Sequence, residues 1–415
     1  MKVLLLDPKL LNRRGHHFHT DLAIYEECKA RDIPIEILGN RKVAPAILPR
    51  LPVRPVFATS TYPSCTSPHD LRSDWATVNR MVEQDLKEGC DAALGPEDAV
   101  LVPSARDSFL GGIFRWYSTL PEPRPHICLR LLFEPGFDAK KEGPTRAVAL
   151  TAAFVEEQMR AWASLPADKL SLVAERHALA VHYQRICDFP VTVLPMPVRY
   201  PPASVTGALA LRSDRHAPHI VFLGEGRHEK GFHLLPDAFR DVLAKHPEIR
   251  LTLQTSRRFD ISPDDVQSLR ALSPNVSILR GPLSVEEYDD LLFSSDIVLV
   301  AYNPESYALR TSQIFLEAVG AGKVALTTRG TWMQQEAEKL GLANIYVDEF
   351  TSAGVASATQ HLLRNWPAAA DRAQRAAPRV RQHHNPARFV DGLLRVIGGC
   401  GHAAGSEQRG VAGRC

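Results

Sequence analysis

Two short stretches hold the residues best suited to chemistry. The first, "RTSQIFLEAVGAGKVALTT" (Arg310 to Thr328), opens with a cation, two hydroxyls and an amide: Arg310, Thr311, Ser312 and Gln313. It continues as an apolar run with one acid, Glu317, and breaks at Gly320 and Gly322. Thr311 or Ser312 suits a helix N-cap. The first turn of a helix leaves backbone N–H groups unpaired and partly positive, so it can hold a phosphate, and Arg310 can add charge-assisted hydrogen bonds. With Ile314 at zero and ~100° per residue, Phe315, Ala318 and Val319 share one arc and Glu317 falls outside it, at about 300°. Its carboxylate could accept from two neighbouring hydroxyls, such as those of a ribose, each bond to the charged group contributing roughly 1.5–3 kcal/mol. A solvated helix acid fits the same position equally well.

The second stretch is "FLGEGRHEKGF" (Phe222 to Phe232). Gly224 and Gly226 let backbone approach a ligand closely. Arg227 and Lys230 are two cations able to neutralise a departing diphosphate, although alone they would read as a solvated basic turn. Both loops leave strand ends in the same half of the chain, so they can meet at one crevice. Two anion-ready loops on one rim point to a nucleotide-diphosphate ligand.

The elements that must position these loops follow one rhythm, twice. In the first half "KVLLL", "IPIEILG", "VFATS", "DAVLVPS", "HICLRLLF" and "LSLVAE" read as strands, "FHTDLAIYEECKARD" and "TRAVALTAAFVEEQMRAWASL" as helices, and "VTVLPMPV" closes the half. A Pro- and Ser-rich segment without period, at residues 198–217, reads as a linker. The rhythm restarts with "HIVFLG" and runs through "IRLTLQT", "VSILRG", "DIVLVAY" and "KVALTT", with "NIYVD" a last strand. Strands alternating with helices predict parallel sheets covered on both faces. The fold class is therefore α/β, with two doubly wound Rossmann-like domains facing across a cleft. Ligands of such sheets sit beyond the carboxyl ends of the strands.

Composition excludes several function classes. The 415 residues are 45% apolar and 23% charged with a net charge of +2, which suits a globular protein and not a general nucleic-acid binder. No apolar run approaches the ~20 residues of a membrane span. The seven cysteines lack any C-x-x-C spacing, so zinc and redox chemistry are disfavoured and a reducing cytoplasm fits. "GAGKV" lacks the early glycine and the hydroxyl of a P-loop. Gly224, Gly226 and Gly231 are spaced G-x-G-x-x-x-x-G, unlike a dinucleotide fingerprint. "GHHFH" has no acid or cysteine at metal-ligand spacing. No Asp-x-Asp pair occurs, so no metal site is expected.

"FLGEGRHEKGFHLLPDAF", "YDDLLFSSDIVLVAY" and "SQIFLEAVGAGKVALTT" together resemble the donor domain of GT-B-fold glycosyltransferases, in particular family 4. The resemblance covers roughly residues 218–345 and matches the family's G-R…K-G loop and its E-A…G segment. The first half agrees in layout, and "HHNPARFVDGLLRVI" resembles the family's closing helix. The implied domains are 1–197 for the acceptor, linker 198–217, 218–384 for the donor, a closing helix at 385–399 that returns to the first domain, and a disordered tail at 400–415.

The resemblance implies that Arg227 and Lys230 bind the donor diphosphate, that Glu317 holds the ribose, and that the loop from Tyr302 to Gln313, with Glu305, Arg310, Thr311 and Ser312, covers base, phosphates and sugar. It implies a UDP- or GDP-sugar co-substrate, no cofactor, no metal and retention at the anomeric carbon. The acceptor would be a glycan, a lipid-linked saccharide or a small molecule, in polysaccharide or glycoconjugate biosynthesis, in the cytoplasm or at the inner face of the membrane. One departure matters. Where the family has a second Glu contacting the transferred sugar, this chain has Leu309, leaving Glu305, Arg310 or backbone to take that role.

On the acceptor side Gly15, with Arg13, Arg14 and His16, follows the first strand and could approach the donor phosphate, and Glu134 is a candidate acceptor-site carboxylate. His126 and Arg130 read as core polar groups. Two rival functions share this plan: a nucleotide-sugar 2-epimerase-type isomerase and a non-catalytic nucleotide-sugar-binding subunit.

Overall fold

A computed structural model of the chain describes residues 1–13, 15–59, 68–91, 93–106, 108–135, 146–200, 218–255, 262–342 and 345–398. Most of the expected linker, Arg14 and the expected tail lie outside these residues. Two compact units form: Met1–Pro197 with the chain from Pro386 on, and Val198–Asn385.

The first unit is built on a seven-stranded sheet. Its strands are β1 (Val3–Leu6), β2 (Ile35–Asn40), β3 (Val53–Phe57), β4 (Ala99–Ala105), β5 (His126–Leu131), β6 (Leu170–Ala174) and β7 (Val191–Val193), in the order β3-β2-β1-β4-β5-β6-β7. Every pairing is parallel. The helices are α1 (His16–Ala30), α2 (Pro68–Gly89), α3 (Leu110–Ser118), α4 (Arg146–Ala163) and α5 (His177–Cys187). Successive strand side chains point to opposite faces. Thus Leu4, Leu6 and Leu38 enter one core with α2 to α5, whereas Val3, Leu5 and Ile37 enter a second with α1. Covered on both sides, the strands read as unbroken apolar runs.

The second unit has a five-stranded parallel sheet of β8 (His219–Phe222), β9 (Arg250–Thr255), β10 (Val276–Arg280), β11 (Ile297–Val300) and β12 (Val324–Thr327), in the order β10-β9-β8-β11-β12. Its helices are α6 (Leu235–Leu243), α7 (Pro263–Leu272), α8 (Val285–Ser294), α9 (Pro304–Tyr307), α10 (Gln313–Gly320), α11 (Trp332–Lys339), α12 (Ser352–Arg364) and α13 (Trp366–His383). The last helix, α14 (Pro386–Gly398), belongs to the first unit. Its Phe389, Val390 and Leu393 join the core beside α1, and Arg31 Nη1 donates to Asp391 Oδ1 at 2.5 Å.

Three local expectations differ from the structure. The strand expected at "VFATS" runs earlier, over Val53–Phe57, "VTVLPMPV" is strand only over Val191–Val193, and among its described residues "NIYVD" contributes a single bridge, Thr328 to Val347. Among the described residues no helix is long and apolar enough to cross a membrane.

Candidate functional site

In a doubly wound sheet, the crevice lies where strand order reverses. In the second unit that point is between β8 and β11, which pair side by side. The loops leaving these two strands are the ones that carry the candidate residues.

The β8 loop turns on Gly224 (φ +94°) and Gly231 (φ +73°), whereas Gly226 does not take a positive φ. Gly231 cannot be replaced without strain, because a Cβ there would stand 2.3 Å from the Ala301 carbonyl oxygen just after β11. The two loops are further joined by the Asn303 N–H, which donates to the Glu229 carbonyl at 2.9 Å. Lys230 is folded back inside its loop. A Cβ on Gly224 would lie 3.1 Å from both Lys230 Nζ and Ile314 Cδ1, which puts the ammonium beside the start of α10.

The β11 loop contains a short helix the sequence did not announce. Asn303 caps α9, its Oδ1 accepting from the N–H of Glu305 at 2.8 Å and of Ser306 at 3.2 Å. This turn presents Tyr302 and Tyr307, whose rings lie 4.5 Å apart. Arg310 stacks over Tyr307 with Cζ 4.3 Å from the ring centre, and Lys230 Nζ is 5.7 Å from the Tyr302 ring. Ser312 is the N-cap of α10, Oγ accepting from Phe315 N at 3.3 Å, so the amides at this helix start face the same rim. Thr311 precedes the cap, half-buried. Glu305 is exposed, and among the described residues no hydrogen bond or ion pair draws its carboxylate to the cations.

Three cations therefore converge. Burial, then the charge of Arg227, pulls Lys230 down to about 7. Burial also lowers Arg310. Burial works against Arg227 too, but Tyr307, Glu229 and Glu225 outweigh it and hold its pKa up, with Glu229 Oε1 3.1 Å from Nε. Like charges held this close in partly desolvated surroundings raise one another's cost. An anion between them would relieve it.

Glu317 sits on α10 in a setting no reading of its own helix could supply. Tyr288, on α8, donates from Oη to Glu317 Oε2 at 2.5 Å, and Gln313 Nε2 donates to Oε1 at 2.7 Å. Burial still pushes the carboxyl up to about 7 against those two bonds. A carboxylate has about four acceptor positions, so each oxygen keeps one for a ligand hydroxyl. Tyr200 lies near as well: its ring fills the space that a side chain on Gly320 would need, and Glu317 raises its phenol further after burial. Lys323, the lysine of "GAGKV", is committed elsewhere: buried, its Nζ donates to the Phe293 carbonyl at 2.7 Å.

The remaining candidates lie in the first unit. Gly15 is the N-cap of α1 at φ +74°, exposed, and a Cβ added there would meet nothing within 4 Å. Arg13 donates to the Ala46 carbonyl at 2.7 Å. Glu134 lies three residues past β5, half-buried. His126 and Arg130 are buried: His126 bonds Asp168 O at 3.0 Å and Ser171 Oγ at 2.9 Å, while Arg130 donates to Pro103 O at 2.9 Å and pairs with Glu175, its Nε alone left without a partner. The sequence offered no sign of Tyr288 or Tyr200 at the Glu317 site; each reaches it only through the fold, whereas Tyr307 lies within the expected loop from Tyr302 to Gln313.

No protein-family model and no curated protein matches the sequence. Solved structures do match in fold. A trehalose-6-phosphate protein from E. coli bound with UDP-2-fluoro glucose superimposes with a TM-score of 0.64 at 13% identity, over 96% of this chain and 99% of that one. The UDP-forming α,α-trehalose-phosphate synthase from Burkholderia xenovorans, in complex with glucose-6-phosphate, gives 0.62 at 13% identity, over 96% and 100%. HepE from Anabaena, in complex with UDP, gives 0.60 at 15% identity, over 96% and 100%. With two parallel doubly wound units and these structural neighbours, the chain has the GT-B glycosyltransferase fold.

Proposed function

We propose that this protein is a glycosyltransferase that takes a sugar from a UDP- or GDP-sugar. The observation that carries the reading is the meeting of Lys230, Gly224 and the start of α10 at the switch point of the second sheet. The donor diphosphate would lie on the α10 amides between Lys230, Arg227 and Arg310. As the bond from the sugar to the diphosphate breaks, negative charge grows on the departing oxygen, and these fixed cations and amides stabilise it. They supply the positive charge that a metal ion would otherwise bring, which supports a metal-independent reaction without a cofactor. Glu317 would accept from the ribose hydroxyls. Retention at the anomeric carbon, an acceptor among glycans, lipid-linked saccharides or small molecules, a role in polysaccharide or glycoconjugate biosynthesis, and a cytoplasmic site belong to the same reading.

One observation favours a second reading, a nucleotide-sugar-binding subunit without turnover: Leu309 stands where a sugar-contacting Glu is expected, and among the described residues no hydrogen bond or ion pair ties the exposed Glu305 to the cations. A thermal-shift panel of nucleotides and nucleotide sugars tests the shared core, because a ligand that binds only the folded state raises its stability. UDP or GDP should shift the wild type most, and Lys230→Ala and Glu317→Ala should shrink that shift. Equal shifts in all three proteins would refute the assigned roles. Release of free nucleoside diphosphate during incubation with acceptor separates the enzyme from the silent subunit.

A further inference from the structure

The first sheet has its own switch point, between β1 and β4, and the chain leaving its strands there is cationic. Lys9 follows β1, Arg106 follows β4, Arg130 is on β5 and Arg176 follows β6, with His16 opening α1. Several of these groups share one neighbourhood. The charges of Arg130, Lys9 and Arg106 all act on the His16 imidazole, which after burial and His17 they keep neutral. His16 Nε2 is 3.4 Å from Ser104 Oγ, its ring is 6.3 Å from Phe133, and Arg106 Cζ lies 4.5 Å from the same Phe133 ring. Glu134, next in the chain, acts on Arg176.

Much of the negative charge in this region is already engaged. Glu175 pairs with Arg130, and Asp7 Oδ2 lies 2.7 Å from His17 Nδ1. Asp21, buried beside Asp7, is driven toward its neutral form by burial and by Asp7. Arg176 is different. It is 5% exposed, yet its Nε and Nη1 are buried with no hydrogen-bond partner, and among the described residues it forms no ion pair. Burial draws it down to about 10, with Glu134 the opposing influence. It also occupies the N-cap of α5, a helix of 11 residues with no side-chain cap and no acid in its first turn. A buried guanidinium with unmet N–H groups, set at an uncapped helix start, lacks the partner that such groups require.

We propose that the carboxyl edge of the first sheet binds an anionic substituent, phosphate or carboxylate, of the sugar acceptor, held by Arg176 and the amides opening α5, with Arg106 and His16 beside it. That the bound sugar is an acceptor rests on the transferase reading; the anion site does not. Neutral sugars would lack the group that meets Arg176.

The test is calorimetric titration of the full chain with glucose 6-phosphate, glucuronate and glucose, each with and without saturating UDP. At least one of the two anionic sugars should bind and glucose should not, and which one binds identifies the substituent. Arg176→Gln should weaken that binding at least tenfold while leaving UDP binding intact, Arg176→Lys should recover part of it, and Glu134→Gln should tighten it. Inorganic phosphate should compete on the unaltered protein with UDP present, which keeps the proposal exposed even if Arg176→Gln does not fold. Absence of binding by both anionic sugars, no competition by phosphate, or unchanged affinity in a folded Arg176→Gln would overturn it. Anionic-sugar binding without any UDP binding would sink the transferase reading and leave the anion site standing.

Discussion

Tyr288 and Glu317, 29 residues apart in sequence, meet through a 2.5 Å hydrogen bond in which the phenol donates to the carboxylate. The bond joins α8 to α10 and lowers the carboxyl pKa against the larger, opposite effect of burial. Glu317 is thus poised near neutrality, where a modest change in its surroundings alters its charge.

Removing that donor should change the pH dependence of nucleotide binding. In Tyr288→Phe the carboxyl loses a bond that favours its charged form, so its pKa rises above about 7. At pH 7 less of it is ionised and UDP binds more weakly than to wild type. At pH 9 both proteins hold it ionised, and the gap should close. Titration calorimetry at the two pH values measures this; a gap that is constant with pH would show that Tyr288 acts on the ligand by some other route.

The same carboxyl should lower stability where it aids binding. Its folded pKa, about 7, lies above the ordinary glutamate value of 4.5. The folded state therefore holds the extra proton between those values, and Glu317 loses stability as pH rises through that window. Glu317→Gln keeps an acceptor for Tyr288 and has no charge to desolvate. Its melting temperature should exceed that of wild type by more at pH 8 than at pH 5, while UDP affinity drops on the order of tenfold or more. A difference in melting temperature that does not grow with pH would contradict the assigned titration.

Lys230 gives the opposite pH dependence. Its pKa of about 7 means that above neutrality the free protein holds a neutral amine, and a bound diphosphate must recruit a proton to it. UDP affinity should fall with rising pH by up to about tenfold per unit above 7, since one pKa unit is about 1.36 kcal/mol. Lys230→Ala should bind weakly at pH 6 without that decline, so the two proteins converge by pH 9. Proton uptake can be read directly from calorimetry in buffers of different ionisation enthalpy, and its absence at pH 8 would count against a neutral Lys230.

These residues also mark what can be read from one dimension. Ser312 as a cap, the turn glycines Gly224 and Gly231, and the apolar strands are local signals, since each depends on neighbours within a few positions. The doubly wound plan follows from them because parallel strands need covered faces. Tyr288 was not legible: its value comes from a contact across two helices, and on its own helix it looks like one more half-buried aromatic. Lys323 was legible as a non-ligand: "GAGKV" lacks the early glycine and the hydroxyl of a P-loop, and the fold sends its ammonium to the Phe293 carbonyl. Arg176 carried no motif at all; only its burial and unmet N–H groups single it out.

The short helix in the β11 loop yields the last expectation. Asn303 does two things at once: its side chain caps α9, and its N–H holds the Glu229 carbonyl of the β8 loop. Asn303→Ala keeps the second bond and loses the first, and loss of an N-cap costs about 1 kcal/mol. Because α9 is only one turn long, that cost falls on the ordering of Tyr307 and of the Arg310 stacked on it, and not on the sheet. The melting temperature of the free protein should barely move, whereas UDP affinity should weaken roughly fivefold, the equivalent of that 1 kcal/mol. Asn303→Ser, which can still cap the turn, should recover most of it. If Ala and Ser behave alike, the cap does not organise the donor loop, and the β8–β11 contact through Gly231 must hold Arg310 in place unaided.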